Sequence, residues 1–131
     1  MVFGVGVTDV LTISKLAWNV YKSCKESSDD FKRVSTEVAS LHVILKETEE
    51  FLNEDNGLSE TRQERLGILM ETSSDILNDL KRQLSSYESL GTHSQRTWDR
   101  LRWGLEDIAD VRSRLISVNT TLAAFNSSLT T

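Results

Sequence analysis

The chain has 131 residues, enough for one domain with a real core and too few for two ordinary ones. With no proline, six glycines and 38% hydrophobic residues, it has few forced turns and suits long helices. Its formal charge of -5, from 20 acidic and 15 basic residues, argues against a general nucleic-acid binder, which gathers positive charge along one face.

The first predicted helix covers about residues 8–26. Val10, Ile13, Ala17, Val20 and Cys24 recur at steps of three and four, which puts them on one face. Leu11, Leu16, Trp18 and Tyr21 widen the apolar surface beyond that stripe, so the helix is strongly apolar as well as short. Such a helix either lies centrally in a bundle or meets a membrane or partner. Asp9, Lys15, Asn19 and Lys22 interrupt the segment, which falls short of the roughly 20 mostly apolar residues of a membrane span. It also lacks the basic region and cleavage site of a secretory signal.

The second helix is expected over about 28–54, after Ser27-Ser28-Asp29-Asp30. Short polar side chains there can cap backbone donors, and the acids suit the positive helix end. Phe31, Val34, Val38, Leu41, Leu45 and Leu52 form its stripe, with Thr48 as a polar interruption. Arg33 with Glu37 and Lys46 with Glu50 are set to pair on the outer face. Asp55-Asn56-Gly57 is the clearest turn signal.

Ser59 opens the third helix, about 59–89, as a weak cap, because a capping box wants Glu or Gln where Arg62 stands. Its core positions read Leu66, Leu69, Ser73, Ile76, Leu80, Leu84 and Tyr87. After the break at Gly91-Thr92-His93-Ser94, the fourth helix covers about 95–129. Trp98, Leu101, Leu105, Ile108, Leu115, Val118, Leu122, Phe125 and Leu129 lie at helical spacing along it. Gly104 marks either a kink or close contact, or an ordinary surface position. Trp103 sits at a different angle from Trp98, either at the edge of the core or exposed to a partner. The arginines of this segment are interspersed with acids, which fits a solvated mixed-charge face or a docking surface for acidic groups.

These four segments predict an all-α fold, a single antiparallel helical bundle over 1–131. Either four helices pack up-down-up-down, or the short first helix packs on a body of three. The breaks at Gly57 and Gly91 argue against an extended coiled-coil dimer.

No constellation of side chains points to a reaction. His42 and His93 stand without a ligand cluster, and the carboxylates read as helix-surface charge. Gly4-Val5-Gly6 lacks the rest of a phosphate-binding loop. No metal, cofactor or catalytic residue is therefore expected. The single Cys24 makes no internal disulfide and suits a reducing, cytoplasmic setting, where the sequons at Asn119 and Asn126 are incidental. The best functional signal is at the start. Residues 1–24 carry Asp9 against Lys15 and Lys22, a net +1, against -6 for the remainder. This apolar element is either buried for good or able to leave the bundle for a membrane or another subunit.

The opening Met1-Val2-Phe3-Gly4-Val5-Gly6-Val7-Thr8-Asp9-Val10-Leu11, continued by Leu16-Ala17-Trp18-Asn19-Val20-Tyr21-Lys22-Ser23-Cys24-Lys25, resembles the fungal N-terminal domains of STAND, or NOD-like, receptor proteins described as HeLo-like. Phe31, Val34-Ser35-Thr36-Glu37-Val38-Ala39-Ser40-Leu41 with Leu45, and Trp98-Asp99-Arg100-Leu101-Arg102-Trp103-Gly104-Leu105 carry the resemblance along the chain. It implies an all-helical effector domain linked to non-self recognition and regulated cell death. Its expected partners are other domains or subunits of a receptor, further copies of itself and, on activation, membrane lipids. Phe3, Leu11, Leu16, Trp18 and Trp103 are the candidate membrane or partner surface. The chain has no nucleotide-binding motif or repeats, so the resemblance is to that domain alone. A constitutive scaffold without membrane activity is the competing expectation.

Overall fold

A computed structural model of the chain describes residues 6–54, 57–89 and 94–130, with side chains for 6–54, 57–88 and 108–130. The fold is all-α: α1 Val7–Lys25, α2 Asp29–Asn53, α3 Glu60–Ser89 and α4 Ser94–Leu129, with no strand among the described residues. The turn signals at Asp55-Asn56 and Gly91-Thr92-His93, and the side chains of Trp98, Leu101 and Leu105, lie outside the described residues. The helix itself continues through Gly104.

Local chemistry sets the ends. The Gly6 N–H donates to the Asp9 carboxylate at 2.9 Å, fastening the first turn of α1, while Lys22 and Lys25 occupy the negative last turn. Asp29 and Asp30 sit in the first turn of α2 as expected, but Ser28 makes no side-chain cap and its buried Oγ has no partner. Ser59 does cap α3, accepting the Arg62 N–H at 3.2 Å. Arg62 then reaches across to donate to the Ser128 carbonyl at the end of α4.

Helix order around the bundle is α1, α2, α4, α3, with α2 and α3 across the diagonal. Hydrogen bonds fix the senses. Asn119 Nδ2 donates to the Glu37 carbonyl at 3.0 Å and Asn126 Nδ2 to the Ile44 carbonyl at 3.1 Å, both 82 positions apart, so α4 runs parallel to α2. Arg114 pairs with Asp79 and Arg62 with Ser128, so α4 runs against α3. The chain reverses between α1 and α2 within Glu26–Ser28.

The core takes Phe31, Val34, Val38, Leu41 and Leu45 from α2, a Leu-rich row from Leu66 to Leu84 on α3, and Ile108, Leu115, Val118, Leu122 and Phe125 from α4. Sequence spacing alone passed over Met70, Leu77 and Val111, which are also buried, because each stripe is wider than one residue per turn. On α1 the deepest positions are all small: Val10, Ser14, Ala17, Val20 and Cys24. Ser14 takes the place expected for Ile13, which packs at the margin. Small side chains let α1 approach α2, and among the described residues their interface is the most extensive of the four. Burial pushes the Cys24 thiol up to about 12, leaving it neutral and unreactive at ordinary pH.

Polar contacts pin the register. Thr48, a break in the stripe by sequence, is fully buried, and its hydroxyl lies 2.8 Å from Asn126 Oδ1. Asn119 and Asn126 are the sequon asparagines, and each commits its amide nitrogen, the atom a glycan would need, to an α2 carbonyl. Asp110 and Arg114 pair at four-residue spacing as expected, but the two pairs expected on α2 change. Glu37 meets Arg112 of α4 at 3.2 Å instead of Arg33, and Lys46 meets Glu49 instead of Glu50.

On the α3–α4 side, Arg114 at 2.8 Å and Arg82 both engage Asp79. The Arg114 hydrogen bond, assisted by Arg82, holds this carboxyl below its usual range. A depressed folded pKa adds stability that is present above the unfolded carboxyl value and lost as pH falls through the folded one. Asp79→Asn should therefore destabilise at neutral pH, and the gap from wild type should narrow on acidification. Urea titrations at neutral and acid pH check this; a gap that stays constant removes Asp79 from the acid response.

Candidate interaction face on the first helix

Because the core takes the small side chains of α1, its large ones are left at the margin or outside. Trp18 is 44% exposed, and Leu11 and Leu16 are half-buried. Leu11 and Trp18, seven positions apart, share a face. Leu16 is on the opposite flank, where it lines a small groove with Val20, Lys81 and Leu84 of α1 and α3. The structure thus brings together two of the five expected residues and separates a third. Phe3, and the side chain of Trp103, lie outside the described residues.

Trp18 does not hang free. Its ring lies 5.3 Å from Tyr21 and 5.2 Å from His42 of α2. Lys25 Nζ stands 5.8 Å from the centre of the Tyr21 ring, within range of a cation–π contact. His42 is kept below its usual pKa first by burial and then by Lys46, against an opposing pull from Glu49. A neutral imidazole therefore lies beside the indole at neutral pH. Both rings are tilted against the indole and leave Trp18 partly open to solvent.

Sequence reasoning missed the cations that frame this ring. Leu11, Lys15, Trp18, Lys22 and Lys25 follow one another at steps of four, three, four and three, so they form one stripe along the outer surface of α1. The three lysines are exposed. Lys15 and Lys22 had counted as interruptions of an apolar segment and as its net positive charge; the spacing that joins them to Trp18 was there to be read. Among the described residues, the other exposed large apolar side chains, Val43, Ile68 and Ile116, form no such row.

Among the described residues, no His, Cys, Asp or Glu cluster is placed to hold a metal ion, and no helix is long and apolar enough to cross a membrane. Comparison with protein-family models, curated proteins and solved structures finds no match.

Proposed function

We propose that the chain is a non-catalytic effector or signalling domain whose working surface is the outer face of α1, in keeping with its resemblance to the HeLo-like domains of fungal NOD-like receptors. One observation carries this reading: the Leu11–Lys15–Trp18–Lys22–Lys25 stripe, with Trp18 exposed beside Tyr21 and His42. An indole with lysines beside it suits the boundary of an anionic bilayer. The ring settles among the headgroups and the lysine stems snorkel towards the phosphates. In the receptor setting, such contact would link the domain to membrane association and cell death.

Each lysine near an anionic surface contributes ~1 kcal/mol, so Lys15→Gln with Lys22→Gln should weaken vesicle binding by roughly 30-fold. Co-sedimentation with phosphatidylserine-containing and neutral vesicles measures it. Trp18→Asp should lower binding further, with helical content preserved. Wild-type protein that ignores anionic vesicles even when artificially clustered would leave the constitutive scaffold as the better reading.

A further inference from the structure

We propose that the α1 stripe also docks into the groove between α2 and α4 of a second copy of this chain, giving a head-to-tail assembly. The proposal rests on reading α1 as the working surface and names a protein partner for it. Charge complementarity carries the argument. At the far end of α2 lies a groove of about 400 Å³, bordered by Glu47, Glu50 and Glu54 over the apolar side chains of Phe51 and Leu129. It is on a different flank from the stripe, so both are accessible on one molecule.

Backbone fields deepen the negative potential there. Because α2 and α4 run parallel, their C-terminal ends lie side by side at this groove, and neither has a basic residue in its last turn. Arg62 reaches this end but donates to the Ser128 carbonyl, while Lys46 pairs with Glu49. The stripe offers Lys22 and Lys25 to Glu47 and Glu50 on the rim, with Leu11 and Trp18 for the apolar floor. Lys22 and Lys25 are three residues apart, as are Glu47 and Glu50, about 4.5 Å along each helix axis. A contact between two different patches is heterologous and propagates from copy to copy unless it closes into a ring. One stripe cannot hold lipid and groove together, so vesicles and assembly compete for it.

Sedimentation velocity on the full chain tests the contact by charge exchange. Wild type should grow in mass with concentration at low salt and return towards monomer as salt is added. Glu47→Lys with Glu50→Lys should remain monomeric, as should Lys22→Glu with Lys25→Glu. Mixing the two should restore association, since one variant keeps the native stripe and the other the native groove. Circular dichroism checks folding, and the milder Glu50→Gln should weaken assembly if a reversal variant fails to fold. A wild type that stays monomeric at low salt overturns the proposal, as does association insensitive to these changes or a mixture of folded variants that does not combine. The groove variant should still bind anionic vesicles. If it does so while wild type never assembles, the membrane reading stands alone; if assembly occurs without lipid binding, the reverse holds.

Discussion

Phe31→Ala is expected to lower the unfolding free energy by about 3–5 kcal/mol, the largest loss from any single truncation considered for this bundle. Phe31 is fully buried in the first turn of α2, immediately after the chain has reversed out of α1. Its ring meets Tyr87 edge to face at 5.1 Å, so it ties the α1–α2 turn to the far end of α3. Helices α2 and α3 therefore border the space that the truncation would open. Alanine at this site loses the transfer free energy of the ring and leaves a cavity that two helix ends cannot easily close. Phe31→Leu should recover much of the loss, because it refills volume without restoring the aromatic contact. Denaturant titration decides. A loss under ~1 kcal/mol would mean the first turn of α2 repacks freely, contrary to its place in the core.

Asn126→Ala is expected to cost about 1–3 kcal/mol although it removes only a short polar side chain. Two partners each lose a hydrogen bond at once. The Ile44 carbonyl loses its extra donor, and the buried Thr48 hydroxyl loses Asn126 Oδ1. The hydroxyl retains the Ile44 carbonyl at 3.0 Å, which limits the damage. Thr48→Val alone should likewise destabilise, whereas the double variant should lose less than the two singles together, because both halves of the contact are then apolar. A double-mutant cycle measures the coupling, expected at about 0.5–3 kcal/mol for side chains in one hydrogen-bonded network. Additive losses would show that the pair is not a unit.

These two sites mark what could be read from the sequence and what could not. Phe31 was legible because it heads a row at three- and four-residue steps, and the four helices were legible because each row starts or stops near short polar residues. The Thr48–Asn126 contact was not. Its members are 78 positions apart on different helices, and each looked like an accident in its own segment, one a gap in a stripe and the other part of a sequon. Periodicity assigns a face to a residue but no partner. The same limit applies to Glu37, whose Arg33 neighbour was visible at four-residue spacing while Arg112, 75 positions away, was not. On α1 the difficulty was different. More large apolar side chains were present than one face could bury, and sequence could not say which would be left out. The choice of small residues for the core side put Trp18 outside and sent Leu16 to the other flank.

The two asparagines of α4 have a mechanical implication. They are seven residues apart and grip α2 carbonyls that are also seven residues apart, like two teeth on a rack. A small axial slip of α4 would pull both amides off their carbonyls together. Moving one full heptad, about 10.5 Å, would bring Asn119 to the Ile44 carbonyl that Asn126 now holds. Motion along this seam is therefore stepped, and any force that shifts α4 against α2 must release both teeth before either can engage again.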